Sequence, residues 1–316
     1  VPVFRCKSLC IFVTVQILTT LKSKTIKIGT VHQCNCYMGS KTLHPLVSVI
    51  DLSDSNLTQQ NIKLGFYAVL LRECRCGDFL YGRQYYDYSD GTLLFLTPGE
   101  TIAIDNCLLP QKGRMLAFHP DLIGCTSLGQ NIQDYSFFSY HKNEALHISA
   151  REKQKVSECF DNIREELQHA IDCHSKTLIT KYIELLLDYC TRFNERQFIT
   201  RCEANKKLLT KFEKILNEYF EADRVKRNGL PSAEYCADLL QLSPSYFTDL
   251  LKYETGKNIK EHIQFKRIEI ARQQLQTTHK TVNQIADELG YSSVQYFTRL
   301  FTKIAGCSPN EYRHPN

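Results

Sequence analysis

The chain has 316 residues, so two or three domains are expected rather than one small core. Its 43% hydrophobic and 23% charged residues are ordinary for a globular protein and exclude wholesale disorder. A formal net charge of +5 neither requires nor excludes a nucleic-acid partner, because binding depends on where the charge lies. Residues 224–316 hold thirteen Lys/Arg and nine Asp/Glu, so much of the positive surplus is C-terminal.

The first 24 residues contain a short apolar run, LCIFVTVQIL (9–18), which follows Arg5 and Lys7. The run is too short to span a membrane, and it lacks the small-residue cleavage site of a signal peptide. We therefore treat residues 1–24 as an N-terminal extension of uncertain structure and expect a cytoplasmic protein without a membrane partner.

Fourteen cysteines scatter along the chain without a repeated spacing. Two Cys-x-Cys pairs occur, Cys34/Cys36 and Cys74/Cys76, but zinc sites usually separate paired ligands by two to four residues. Free thiols in a reducing cytosol are therefore expected, with no metal site and no cofactor.

Residues 25–150 are predicted to be rich in β-strands. Short runs of β-branched and aromatic residues, LVSVIDL (46–52), FYAVLL (66–71) and TLLFL (92–96), are separated by turn signals such as Asp90-Gly91. Several short strands with turns between them favour a barrel or a sandwich.

Residues 151–222 are predicted to be helical. Ser149 and Glu152 have the spacing of a capping box, and Val156, Phe160, Ile163 and Leu167 then recur at helical spacing. A second helix follows, and a third carries the stripe Leu209, Phe212, Leu216 and Phe220. Such stripes are explained equally by internal packing and by a dimer seam, and we expect a homodimer held by this helical linker. The charged segment 222–229 is interpreted as a linker to the last domain.

The last domain contains an internal repeat. Residues 247–256 (FTDLLKYETG) and 297–306 (FTRLFTKIAG) share Phe, Thr, Leu and Gly at an offset of fifty. Each copy follows a short helix and a tight turn, in which Gly290 is expected to adopt a positive φ. Ser243 and Ser292 are placed to cap the second helix of each copy, so the sequence predicts two helix-turn-helix units with second helices at 243–255 and 292–304.

The tail GYSSVQYFTRLFTKIAGCSPNEYR (290–313) resembles the signature of the AraC/XylS family of transcription regulators. The resemblance covers about residues 229–313 and includes Arg267, Ala271 and Leu275 in the connecting helix. Residues 25–150 more weakly resemble the cupin-like sensing domain of such regulators, mainly at GTLLFLTPGE (91–100). The expected fold is therefore α+β: a cupin-like β-barrel (25–150), a helical linker and dimerisation segment (151–222) and an all-α DNA-binding domain (229–316).

The resemblance implies double-stranded DNA as a partner and base contacts by residues of the two second helices. Base-reading candidates are Ser245, Thr248, Asp249, Ser293, Gln295, Thr298 and Arg299. Phosphate-contacting candidates are Ser243, Ser292, Lys252 and Lys303. Gln can pair with adenine and Arg with guanine, whereas Asp249 stands where relatives often carry a basic residue, which favours a structural role there. Two units on one rigid helix would read successive major grooves.

A barrel in front of a DNA-binding domain predicts a small-molecule effector, with His44, Tyr81 and Tyr86 as candidate pocket residues beside Tyr85 and Tyr88. Residues 65–106 contain no histidine, so a catalytic metal cupin, or any catalytic residue, is not expected. The resemblance favours an activator that works with RNA polymerase. The alternative is a DNA-repair methyl-acceptor with a reactive cysteine, but its Pro-Cys-His-Arg run does not occur.

Overall fold

A computed structural model describes residues 25–53, 60–72, 82–85, 87–104, 113–221 and 224–314. The residues 1–24, together with Tyr81 and Tyr86, lie outside the described residues. The eight described strands are β1 (Thr25–Ile28), β2 (Val47–Asp51), β3 (Gln60–Leu64), β4 (Tyr67–Arg72), β5 (Gly91–Leu96), β6 (Thr101–Ile104), β7 (Gly113–Phe118) and β8 (Leu146–Ile148).

Thirteen α-helices are described, and short 3-10 turns lie between the third and the fourth. The helices are α1 (Val31–Met38), α2 (Pro120–Ile123), α3 (Ser127–Asn131), α4 (Ala150–Gln168), α5 (Ser175–Thr200), α6 (Cys202–Glu221), α7 (Arg224–Asn228), α8 (Ala233–Leu240), α9 (Pro244–Thr255), α10 (Ile259–Thr277), α11 (Val282–Glu288), α12 (Val294–Ala305) and α13 (Pro309–Arg313). None of these helices is both long enough and apolar enough to cross a bilayer.

The strands form two sheets. The larger sheet has the order β2-β7-β4-β5-β8 and is antiparallel throughout, whereas the smaller sheet has the order β1-β3-β6 with β1 parallel to β3. Within the described residues both sheets are open, so the closed cupin-like barrel expected from the sequence is not observed there. The three strands predicted from apolar runs are present as β2, β4 and β5.

The five-stranded sheet is buried on both faces, which explains why its strands are continuous apolar runs rather than alternating ones. One face packs on α4 and α5, with Val69, Leu93 and Phe118 in that cluster. The opposite face packs on α1 and the small sheet, with Leu70 and Leu94 in the second cluster. The sheets and short helices of residues 25–148 are called the N-terminal body below.

Helix α4 begins at the predicted capping box, where the Ser149 hydroxyl accepts from the amide of Glu152 and the Glu152 carboxylate accepts from the amide of Ser149. Its stripe is fully engaged inside the chain, because Ile163 is 0% exposed and Leu167 is 8% exposed against α5 and the sheet. The stripe on which the expected dimer seam partly rested is therefore internal core.

The stripe of α6 is also used within the chain. Phe212 and Leu216 are buried against Phe247 and Leu251 of α9 and against the start of α10. The third linker helix thus supplies core to the first helix-turn-helix unit. The segment expected to be a plain linker forms the short helix α7, in which Val225 is buried.

Candidate nucleic-acid interface

The two helix-turn-helix units are α8 with α9 and α11 with α12. In each unit the second helix begins at a serine whose hydroxyl accepts from the amide three residues later, Ser243 from Tyr246 and Ser293 from Tyr296. The second cap is therefore Ser293 and not Ser292, because α12 begins one residue later than predicted. Each helix ends at a glycine with positive φ, Gly256 or Gly306.

The turns of the two units share one left-handed residue and the hydrogen bond that follows it, although the second turn is one residue longer before its serine cap. Gly290 adopts the predicted positive φ of 73° in the second unit. Gln241 occupies the corresponding position of the first unit with a φ of 59°, which is a left-handed conformation that costs a residue with a Cβ atom free energy. The following amides, of Leu242 and Tyr291, donate to the carbonyls of Ala237 and Ala286 in the same way.

Helix α10 holds the two units together. Ile259 and Ile263 in its first half belong to the core of the first unit, while Ala271 and Leu275 in its second half belong to the core of the second. Its 19 residues correspond to a length of roughly 28 Å, which is somewhat shorter than one helical turn of DNA, about 34 Å. The spacing between the units is therefore set by a continuous helix.

A buried arginine also ties α10 to the second unit. The Arg267 Nε donates to the carbonyl of Leu289 over 2.9 Å, and its guanidinium lies 3.4 Å from the centre of the Tyr291 ring. Burial lowers the pKa of Arg267. A guanidinium is nevertheless not deprotonated in proteins, so the stacked group is a cation. This contact fixes the turn that leads into α12.

The second recognition helix, α12, presents its predicted reading residues to solvent. Gln295 and Arg299 are exposed, and the Arg299 guanidinium lies 5.9 Å from the centre of the Tyr296 ring. Thr298 is half-buried, Lys303 is exposed near the end of the helix, and Ser292 is exposed just before its cap. This face carries the Gln295 amide and the Arg299 guanidinium, each of which can form two hydrogen bonds to one base. Such groups read adenine and guanine, respectively, in the major groove.

The first recognition helix, α9, is partly covered by other parts of the chain at positions whose equivalents in α12 are exposed to solvent. Ser245, Thr248 and Asp249 are all half-buried, and the Thr248 hydroxyl donates to the carbonyl of Pro244 over 2.7 Å. The Asp249 carboxylate accepts a hydrogen bond from the Tyr140 hydroxyl of the N-terminal body. Lys252 remains exposed.

The amino end of α9 is covered as well. Ser243 is 0% exposed, and both its amide and its hydroxyl donate to the Glu144 carboxylate. Sequence reasoning missed Tyr140 and Glu144, because each is about a hundred residues away from its partner and neither lies in a motif.

The candidate effector residues are not gathered around a pocket by the described structure. The His44 Nδ1 accepts from the amide of Leu46 in the turn before β2, and burial lowers the pKa of this histidine. Tyr85 and Tyr88 are 92% and 42% exposed, so neither side chain lines an enclosed effector pocket. Tyr88 instead lies under the Arg196 guanidinium, 4.7 Å from it.

Several thiols lie in surroundings that suppress their reactivity. Burial raises the pKa of Cys34 to about 12 and the pKa values of Cys159 and Cys236 to about 11. Burial also raises the pKa of Cys190 well above its usual value, with a smaller effect from Cys159. Because the thiolate is the nucleophile, these four cysteines are poor methyl acceptors at neutral pH.

Comparison with known proteins agrees with this architecture. A family model described as a helix-turn-helix domain matches residues 236–314. The chain is 22% identical over 259 residues to YobQ, an HTH-type transcriptional regulator of Bacillus subtilis, and the match covers 77% of this chain and 95% of that protein. It is 35% identical over 80 residues to the MmsAB operon regulatory protein of Pseudomonas aeruginosa, covering 25% of this chain and 26% of that protein.

Among solved structures, the C-terminal domain of AraT, a response regulator from Geobacillus stearothermophilus, is 27% identical, with 34% of this chain and 85% of that chain covered and a TM-score of 0.30. That score is too low to compare the two folds. The matched sequence and the paired units nevertheless coincide on the same residues. The C-terminal domain of this chain, residues 236–314, is therefore a helix-turn-helix DNA-binding domain of the AraC/XylS type.

Proposed function

We propose that the chain is a ligand-responsive transcription activator that reads two successive major grooves with α9 and α12. It would act in the cytoplasm, where it meets chromosomal DNA and RNA polymerase. The relative from P. aeruginosa is named as a regulator of an operon, which is the kind of activity proposed here.

The observation that carries this proposal is that α12 exposes its predicted base-reading residues while its other face is packed against α10. Gln295 and Arg299 lie one helical turn apart and both are exposed. Their helix is packed against α10, which also fills the core of the other unit. We assign adenine or guanine contacts to these two residues and a phosphate contact to Lys303.

An effector is proposed because the N-terminal body contacts the first unit directly. Glu144 accepts a hydrogen bond from Ser243, and Tyr140 donates one to Asp249, so the body contacts both ends of the segment 243–249. A small molecule that shifts this part of the body would therefore change how α9 meets DNA.

A homodimer is also part of the proposal, with its seam on the outer face of α5. Leu178 and Leu185 are seven residues apart and both are 43% exposed, with Tyr182 and Tyr189 half-buried between and after them. This is the spacing of a coiled-coil seam. This face of α5 replaces the buried apolar stripe of α4 as the candidate dimer interface.

Selection of bound duplexes from a random pool by the full chain tests the proposal. We expect a motif that contains the half read by α12, joined by a second half about one helical turn, or about 10 base pairs, away whenever α9 also contacts DNA. Arg299→Ala is expected to relax one base pair of one half and to cost about 1–3 kcal/mol on the selected site. Lys303→Ala is the control, because loss of a phosphate contact weakens all sequences alike. Recovery of no preferred sequence by the wild-type chain would show that the proposal is wrong.

A further inference from the structure

The repeat allows each position of α9 to be compared with its equivalent in α12, fifty residues later. Tyr246 is 3% exposed, whereas its equivalent Tyr296 is 40% exposed. Leu250 is fully buried, but Leu300 is only half-buried. The two helices have the same length and the same caps, so the difference comes from what lies against α9 and not from the unit itself.

Part of the cover on α9 is apolar. Tyr246 and Leu250 form a cluster with Phe198 at the end of α5, and the Phe198 and Tyr246 rings have centroids 5.3 Å apart. Tyr140 of the N-terminal body packs edge to face on the same Tyr246 ring, with 5.2 Å between the centroids. The apolar cover therefore adjoins the contact that the Tyr140 hydroxyl makes with Asp249.

Two polar contacts accompany this apolar cover. The Glu144 carboxylate accepts from the Ser243 amide over 2.6 Å and from the Ser243 hydroxyl, at the amino end of α9. Glu144 is itself 4% exposed and also accepts from the amide of His141. A carboxylate at a helix amino terminus occupies the place in which a helix-turn-helix unit would receive a DNA phosphate.

The second polar contact covers the reading edge of the helix. The Tyr140 hydroxyl donates to Asp249 over 2.6 Å, and it is held in place by the Asn194 amide, which donates to the same hydroxyl. Burial, followed by the charge and the hydrogen bond of Asp249, raises the pKa of Tyr140 above its usual value. The phenol is therefore a permanent donor, and Asp249 corresponds to Arg299 of the open helix.

We propose that these two contacts, Glu144 with Ser243 and Tyr140 with Asp249, form a latch that keeps the first recognition helix off DNA. The proposal rests on the proposed DNA-binding function and adds a closed state of the chain, in which the N-terminal body holds α9. With the latch closed, the chain meets DNA through α12 alone. When the latch opens, Ser243 is free for a phosphate and the second groove is read. Asp249 acts in this scheme as an interdomain contact and not as a base reader.

The latch can be weakened without removing bulk. Tyr140→Phe removes the donor to Asp249, and Glu144→Gln removes the charge that accepts from Ser243. Tyr135→Phe is the matched control, because the Tyr135 hydroxyl donates to Asp188 over 2.8 Å in a similar bond that does not involve α9. The probe is a fluorescent duplex of random sequence, long enough for both units, and binding is followed by anisotropy over a range of salt concentrations.

We expect the double variant Tyr140→Phe/Glu144→Gln to bind about tenfold or more tightly than the wild-type chain, because the weakening of both charged hydrogen bonds together disfavours the closed state by at least that factor. The dependence of binding on salt should also become steeper, since the first unit then contacts additional phosphates. Tyr135→Phe should match the wild-type chain in both respects. Equal affinity and equal salt dependence for the double variant and the wild-type chain would overturn the latch.

A measurement without DNA separates this inference from the proposed function. Amide hydrogen exchange should be slow in α9 of the wild-type chain relative to α12, and the double variant should exchange faster in α9 alone. If no form of the chain binds duplex DNA, the proposed function is wrong, and the exchange pattern still decides whether α9 is held. Unchanged exchange in α9 of the double variant would also overturn the latch.

Discussion

The ring of Phe212 meets the ring of Phe247 edge to face, with 5.0 Å between their centroids. Phe212 lies on α6 and is 1% exposed, and Phe247 lies on α9 and is 0% exposed. The contact makes α6 a structural part of the first helix-turn-helix unit. The helix that joins the N-terminal body to the DNA-binding domain therefore cannot move without disturbing α9.

Phe212→Ala is expected to destabilise the DNA-binding domain by about 3–5 kcal/mol, because it removes a buried ring and leaves a cavity under α9. Urea unfolding followed by circular dichroism measures the loss. Lys211→Ala, on the exposed side of the same helix, is the control and should have little effect. A loss below about 1 kcal/mol for Phe212→Ala would mean that α6 is only loosely attached.

Fragments test the same contact without a substitution. A fragment of residues 202–316, which includes α6, should unfold cooperatively. A fragment of residues 224–316 lacks Phe212 and Leu216 and should be markedly less stable, because these residues belong to the core of the first unit. Equal unfolding midpoints for the two fragments would contradict the role given to α6.

Gln241→Gly is expected to stabilise the chain by about 1 kcal/mol, because glycine adopts the left-handed conformation at this turn without a steric penalty. The opposite change in the second unit, Gly290→Ala, should destabilise it. A Cβ atom at that position would lie 2.8 Å from the Val225 side chain in addition to the backbone strain. Thermal unfolding of both variants is the measurement, and shifts in the same direction would contradict this account of the turns.

The buried ion pair of Asp87 with Arg201 supports the junction behind α9. The Arg201 Nε and NH2 groups donate to the two Asp87 oxygens over 3.0 and 2.6 Å, and both side chains are almost completely buried. Asp87→Ala should cost about 3–5 kcal/mol, because it leaves a buried guanidinium without its counter-ion. Glu203→Ala, which breaks the exposed pair with Lys206, is the control and should leave the unfolding midpoint unchanged.

The dimer seam is tested by two charged substitutions with different expected results. Leu185→Glu lies on the exposed face of α5 and should give a folded monomer in light scattering. Ile163→Glu places a charge at a fully buried position of α4 and should unfold the linker rather than dissociate a dimer. A wild-type chain that is monomeric at every concentration, with and without duplex DNA, would remove the homodimer from the proposal.

The parts of the fold with local signals could be predicted from the sequence. Strands β2, β4 and β5 are apolar runs between turns, and the two units are recognisable because their repeat fixes phenylalanine, leucine and glycine in the same frame. Helix α1 carried such a signal in the Thr30 and Gln33 capping box and in Gly39, although its polar composition concealed it.

The latch could not be predicted in this way. Ser243 and Asp249 meet partners that are 99 and 109 residues away, and a single glutamate and a single tyrosine in a loop have no distinguishing pattern. The unusual acid at position 249 was the one hint, and the hydrogen bond from the half-buried Tyr140 explains it. The expected closed barrel is not observed among the described residues, and the sequence could not decide this point, since apolar strands that are buried on both faces are equally compatible with a sheet between two layers.

Helix α10 contributes side chains to both units, so neither unit can rotate or slide independently of the other. The distance between the two half-sites is consequently a property of the protein and not of the DNA. An operator in which five base pairs are inserted between the halves would turn the second half to the opposite side of the duplex, about half a helical turn away. Only the bending or twisting of the DNA itself could restore contact with both units on such a site.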